Sequence, residues 1–578
     1  MMILQLPLLA LGFAPVASTN PPAPSLAPSV LVLPGQDAAA LVQEGRTLLE
    51  AGKAQEALAL FEKADKAAGQ DPDVHIWVLR AWIDLGRVND ALRAAETMRD
   101  KDKVDTAGLD YLIGMASFQQ ARNLMDGGGN PTDALGTATG YLQSALGRDE
   151  KTYADAYATL AHSLWYQQEL GLALDAINKA VQYRPQSAKV RTIEGEVHFS
   201  LYVDERNRAD EGAEVPKEHA SAALAAFSRA AELTGKGASE AALQAAIWSR
   251  IGDVHLWLKD LTKASEAYAE SIAWAPGRAD FGGALWRNLV REGKMDLYNE
   301  TLAKGLENYL KRNGEKGPEA ATILWWLGYG QMSAGQHKEG EKSFLESVER
   351  NRSFANSWYY VGLCRYYQKD YEGALDGWLA YRDIDAASLA TTIRADEANQ
   401  VPIVAYAART VIQGAPNADQ IRKVEAITAV LTHVQPQNSE FWNNLGLLRR
   451  DLGESIWRTK QETDPEQVRA IYQGSWDAYD RAVKLVPEDP GYLNDAAVIL
   501  QYYLGTDIEK ARAYYEKAAE SAAAMIAAES WKEQPEAKQA DEETRIRTAL
   551  RDSKDNLKKL DKGEIGTRGP KAKAAGKN

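Results

Sequence analysis

The stretch "ILWWLGYG", Ile323 to Gly330, sets two tryptophans side by side in a run that reads as helix. Successive residues on a helix point about 100° apart, so the two rings cannot share a face. Three other stretches fall into line with it: "WSRIG" from Trp248, "WYYVG" from Trp358 and "WNNLG" from Trp442. Each, like "LWWLG" from Leu324, has a bulky residue, an apolar residue three positions on and a glycine four positions on. Gly328, Gly335 seven later and Phe344 sixteen later assign the bulky slot to Leu324 and to neither tryptophan. Taking Gly330 as the repeat glycine instead would fill the slot with Trp326, but would bring the charged Glu346 to the place where the second helix needs its ring.

That second helix has its own signature, a small residue, then an aromatic or aliphatic one, then a small one, at spacings of four and three. It occurs as Ala57, Phe61, Ala64; as Ala173, Ile177, Ala180; as Ala223, Phe227, Ala230; as Ala374, Trp378; as Tyr479, Ala482; and as Ala511, Tyr515, Ala518. Pro185, Pro276 and Pro487 close three of these units, where a missing N–H and a fixed φ stop the helix. The chain resembles the tetratricopeptide repeat family, whose unit of about 34 residues runs W-x2-L-G-x2-Y, then A-x3-F, A and P. The resemblance spans Ala38 to about Glu520, in about twelve units of uneven quality. It implies an all-α, right-handed α-solenoid, a superhelix of stacked helix-turn-helix units. A two-helix unit cannot bury its apolar faces alone, so neighbours stack around a shared core, and slot residues such as Trp358 are expected to lie inside it.

Three insertions interrupt the spacing. About sixteen extra residues, including "VDERNRADEGAEVPKEH", read as a charged solvated loop in the unit at Arg191. About seventeen, in Asp451 to Ser475, read as lengthened helices around an acidic turn, and "MDGGGNPTDALG" reads as a glycine hinge. Phe281 to Asn313 and Val401 to Val434 are helical by period only. Residues 521–562 are expected to form capping helices, and 563–578 a basic disordered tail. At the other end, residues 1–20 form an apolar run of signal-peptide length, without a basic residue before Arg46, and 21–37 form a proline-rich linker. Export to the periplasm or cell envelope is the expectation, with a cytoplasmic location as the alternative. No second segment has the roughly 18 unbroken apolar residues of a membrane span.

A formal net charge of −14 and a pI near 5.3 argue against a nucleic-acid-binding surface over the whole molecule, since phosphate contacts need clustered Lys and Arg. The single cysteine, Cys364, excludes an internal disulfide or a thiolate-rich metal site and reads as a small buried hydrophobe. The seven histidines are scattered without ligand spacing, and no phosphate loop or nucleophile elbow occurs, so no catalytic, cofactor or metal residues are expected. Function therefore rests on surfaces. In the family the first helices line a concave groove, and carrying that register over puts Trp325, Tyr329 and Met332, then Asn356, Tyr359 and Tyr366, then Asn443 and Arg450 on its wall. The expected function is a non-catalytic scaffold binding other proteins or peptides through a partly aromatic groove. A carbohydrate or envelope-polymer binder is the alternative, and an enzyme built on the insertions is a more remote one.

Overall fold

The computed structural model describes residues 38–210, 213–276, 289, 293–314, 317, 319–459 and 464–570. The expected signal segment and linker lie outside them. Two compact units divide the described residues, 38–314 and 317–570.

Among the described residues, most helices of the first unit pair in sequence order. The antiparallel hairpins are Ala38–Glu50 with Ala54–Ala67, Pro72–Asp84 with Val88–Asp100, Ala107–Asp126 with Thr132–Asp149, Ala156–Tyr166 with Leu170–Tyr183, Ala188–Arg208 with Glu218–Leu233, and Ala241–Trp257 with Leu261–Trp274. Met295–Asn313 packs on the last of these. The second unit repeats the scheme with Ala320–Ser333 and His337–Arg350, then Ser357–Tyr367 and Tyr371–Ile384, then a three-helix variation, Ala386–Ala395, Glu397–Val411 and Ala418–Val434. Ser439–Thr459 pairs with Pro465–Leu485; Pro490–Val498 runs into a π-helical turn, Ile499–Leu504, and pairs with Ile508–Ala527. Glu536–Asp561 then covers that pair.

One contact recurs in hairpin after hairpin. The glycine of the first helix lies against the ring of the second, so that a Cβ would fall 2.4 Å from Phe61 at Gly45, 2.6 Å from Phe227 at Gly195 and 2.7 Å from Tyr268 at Gly252. In the second unit the same distance is 3.1 Å from Phe344 at Gly328, 2.4 Å from Trp378 at Gly362 and 2.8 Å from Tyr479 at Gly446. Four of these pairs are sixteen residues apart. In the other two, Gly195 with Phe227 and Gly446 with Tyr479, the insertion lies between glycine and ring and the contact survives. The signature Ala and ring positions of the second helices are buried throughout.

The bulky slot is less uniform than expected. Leu324 is buried, but Trp248, Trp358 and Trp442 are only half-buried; among the described residues the tryptophan with no exposure is Trp378, in a second helix. The expected loop after Val203 is also partly helix. Ala188–Arg208 is a 21-residue helix that absorbs the first part of the insertion, and Glu218 and His219 open the next one. Asp451 to Ser475 behaves as expected, in two 21-residue helices, with 460–463 outside the described residues. The glycine hinge is a tight turn: Gly128 has φ +73°, and Gly129 N–H donates to the Leu124 carbonyl. Of Phe281 to Asn313, Leu289 and residues 293–313 are described, the latter containing the helix Met295–Asn313.

Candidate interaction surfaces

The eight groove residues expected from the register do not make one open surface. Trp325 is 6% exposed, its ring 5.0 Å from that of Trp326, 5.4 Å from Tyr360, 5.8 Å from Tyr329 and 6.2 Å from Phe344. Tyr359 and Met332 are buried as well, and the Tyr359 hydroxyl donates to Gln400 Oε1 at 2.6 Å. These three side chains are core in this structure, because the succeeding hairpin packs over them. Tyr329, Asn356, Tyr366, Asn443 and Arg450 are half-buried. Tyr366 packs against Tyr371 and Tyr406. Arg450 bonds Asp451 at 2.8 Å; burial works against its charge, but Tyr479 and then Asp451 more than offset that and keep it protonated. Asp495 is pushed up to about 6 by burial, against the pull of Arg450. Cys364 is fully buried, its thiol pushed up to about 12 by burial and then by Glu341.

A concavity of about 750 Å³ lies instead in the first unit. Its wall is built mainly from first helices of successive hairpins. Arg46, Leu49 and Glu50 come from Ala38–Glu50; Trp77, Arg80 and Asp84 from Pro72–Asp84; and Tyr111 and Met115 from Ala107–Asp126. Lys189 and Val190 come from Ala188–Arg208, and Leu243 from Ala241–Trp257. Spacings of three and four place Arg46 with Leu49 and Glu50, Trp77 with Arg80 and Asp84, and Tyr111 with Met115 each on one helix side. The capping of these helices is in the sequence: the side chains of Asp71, Thr106 and Ser187 accept from the N–H of Asp73, Leu109 and Val190.

Most charges in this pocket are neutralised in one connected network. The Arg80 guanidinium lies 2.6 Å from Asp84 and donates from Nε to the Tyr111 hydroxyl at 3.4 Å; that hydroxyl donates to Asp155 Oδ2 at 2.6 Å. Arg46 Nη2 donates to the Thr152 carbonyl at 2.9 Å, reaches Asp155 at 3.9 Å, and its guanidinium sits 4.6 Å over the Trp77 ring. Arg184 closes on Glu50 at 2.5 Å. Burial works against the charge on Arg80, but Tyr111 and Asp84 more than compensate and raise its pKa, while burial and then Asp155 raise that of Tyr111. Lys189 differs: it forms no ion pair among the described residues, and its side chain is exposed at the pocket wall. Partial desolvation against that wall, and then the charge of the nearby Arg80, lower its pKa. The pocket thus offers one uncompensated cation beside the exposed apolar surfaces of Tyr183 and Leu243, 45% and 43% accessible.

The signal for this site was in the register. Trp325, Tyr329 and Met332 stand one, five and eight positions past their slot residue, and Asn356 two before its own. The same offsets from Leu41, His75 and Arg191 give Arg46, Leu49, Arg80 and Lys189. Aromatic residues drew the expectation to the second unit, where burial claimed them. The scattered histidines come together once: His198 and His219 face each other with Nδ1 atoms 2.9 Å apart. Among the described residues, no group of three or more His, Cys, Asp or Glu side chains is arranged to hold a metal ion, and no helix is long and apolar enough to cross a membrane.

Residues 48–114 match the tetratricopeptide repeat family. That span contains Leu49, Glu50, Trp77, Arg80, Asp84 and Tyr111 of the pocket wall. No curated protein matches the chain. Among solved structures, a Rap protein complexed with Competence and Sporulation Factor is 13% identical over 72% of this chain and 99% of that one, with a TM-score of 0.29. A thermophilic TPR protein of Thermus thermophilus is 20% identical over 44% of this chain and 99% of its own, with a TM-score of 0.20.

Proposed function

We propose that this chain, a tetratricopeptide-repeat protein, is a non-catalytic scaffold that holds an acidic segment of a partner protein in the pocket of its first unit. The observation that carries this reading is Lys189, the cation left without a carboxylate where Arg46, Arg80 and Arg184 each have one. A partner carboxylate would find Lys189 exposed and unpaired, and the bound partner would itself shield the pair from water and so strengthen the charge-assisted hydrogen bond. Tyr183 and Leu243 offer an adjoining apolar contact, so the fitting segment carries an acidic residue next to a large apolar one. The bonded network around Tyr111 holds the wall rigid before binding, which lowers the ordering cost.

Peptide display against the full chain tests the reading. Acidic, apolar-flanked peptides should be enriched, their affinity should fall as salt rises, and Lys189→Glu should weaken it at least tenfold. Recovery of the same peptides by Lys189→Glu would overturn it. Burial of Trp325 and Tyr359 removes two of the rings on which the carbohydrate alternative rested. Action outside the cytoplasm is part of the proposal, resting on the apolar run at residues 1–20. N-terminal sequencing of the chain from cell fractions checks it, and an intact Met1 in the soluble cytoplasmic fraction would refute it.

A further inference from the structure

The π-helical turn Ile499–Leu504 creates a local shortage of hydrogen-bond donors. A helix leaves its last carbonyls unpaired, and widening to a π turn shifts which of them look outward. Here the segment after Glu536–Asp561 returns to supply donors. The N–H of Gly566 donates to the Gln501 carbonyl at 2.8 Å, and the N–H of Arg568 donates to the Tyr502 carbonyl at 2.9 Å. Donors from alternate residues meet successive carbonyls across a bend in which Gly566 is left-handed. Gln501, fully buried, donates from Nε2 to the Glu564 carbonyl at 3.0 Å and is fixed by the Tyr515 hydroxyl, which donates to its Oε1 at 2.7 Å.

Side chains add selectivity to this main-chain pairing. The Arg568 guanidinium lies 4.7 Å over the Tyr502 ring, and a hydrogen bond with Tyr503 and then the charge of Glu454 raise its pKa. Tyr503 itself donates to Glu454. A Cβ at position 569 would fall 2.2 Å from the Tyr503 carbonyl oxygen, and Gly566 has φ +64°, so both positions require glycine. Glu564, Ile565, Thr567 and Arg568 remain exposed. Pro570 is buried, but the four residues before it rest on two backbone bonds and one cation over a ring, with Thr567 and Arg568 exposed, and such exposed backbone contacts open at lower free-energy cost than a core helix.

We propose that this cradle is a second peptide site, specific for a Gly-x-Arg-Gly segment bent at its first glycine, and that Gly566 to Gly569 is its resident occupant. A partner protein carrying a Gly-x-Arg-Gly segment gains the site only when the resident strand lifts away. The partner supplies the same two N–H donors and the same cation, so the exchange leaves no carbonyl unpaired. This surface is separate from the pocket around Lys189 and does not depend on it.

The test uses the full chain and a fluorescein-labelled synthetic peptide, GEIGTRGP, of residues 563–570. Gly569→Val, which the Tyr503 carbonyl cannot accommodate, should free the site. The labelled peptide should bind Gly569→Val at least tenfold more tightly than wild type. A peptide with alanine in place of its arginine should lose that binding tenfold or more. Hydrogen exchange should find the Gly566 and Arg568 amides protected in wild type and unprotected in Gly569→Val. Equal binding to the two chains, binding to neither, or unprotected amides in wild type would overturn the proposal.

Discussion

The glycine at each hairpin crossing is the residue whose change should be felt first. At Gly362 a Cβ would meet Trp378 at 2.4 Å, and a Cβ on Gly377 would fall 2.8 Å from the Gly362 backbone nitrogen. Gly362→Ala is expected to destabilise the chain by about 1–3 kcal/mol through overpacking, read as a lower urea midpoint with an unchanged slope. Trp325→Ala should cost on the order of 3–5 kcal/mol, as truncation of a buried ring does, yet leave peptide affinity at the Lys189 pocket unchanged. Asp495 gives a pH signature. Its carboxyl titrates at about 6 when folded against an ordinary 3.8, so between those values the folded chain binds the extra proton. Stability should therefore fall as pH rises from about 4 to 6 and stay lower above that, by no more than about 3 kcal/mol. Asp495→Asn should flatten this dependence in urea titrations at pH 4, 5, 6 and 7; an unaltered slope would refute the assignment.

Within the hairpins, the turn between the two helices makes one demand repeatedly. Eleven positions past the slot residue the backbone is left-handed: φ is +73° at Gly52, +81° at Gly86 and +80° at Gly335, but also +63° at Gln168, +60° at Lys259 and +65° at Lys369. Where a side chain occupies that conformation, removing the Cβ strain outweighs the extra freedom glycine gives the unfolded chain. Lys369→Gly should thus stabilise by about 0.5–1 kcal/mol in denaturant titrations. The insertions follow an equally local rule: extra residues lengthen helices, as in Ala188–Arg208, and leave the Gly195 contact with Phe227 in place. The sequence had marked the length of that insertion but suggested a solvated loop, because charged residues such as Asp204, Glu205 and Arg208 are as common on an exposed helix as in a loop. One of them, Asp204, pairs with Arg208 at i,i+4, a helical spacing.

For the molecule as a whole, stacked repeats make stability a sum over neighbouring contacts, so damage should stay local. In hydrogen exchange, Gly362→Ala should weaken protection in Ala320–Ser333 through Ala418–Val434 and leave that of Pro72–Asp84 and Val88–Asp100 unaltered. Uniform loss along the chain would contradict the additive picture. The sequence by itself determined the all-α class and the phase of the hairpins, because these depend on residues at most a few dozen positions apart. Only the tertiary structure decided which register positions meet water. Trp325 and Tyr359 became core when the next hairpin closed over them, while Arg46, Arg80 and Lys189 came to share one pocket through the stacking of hairpins. Stacking likewise brought Gln501 to Glu564, 63 residues on, where the expectation had been a disordered tail; residues 571–578 of that tail lie outside the described ones. Periodicity specifies which face a side chain takes, but exposure on that face is set by the angle at which neighbouring helices pack, which depends on contacts among several hairpins at once.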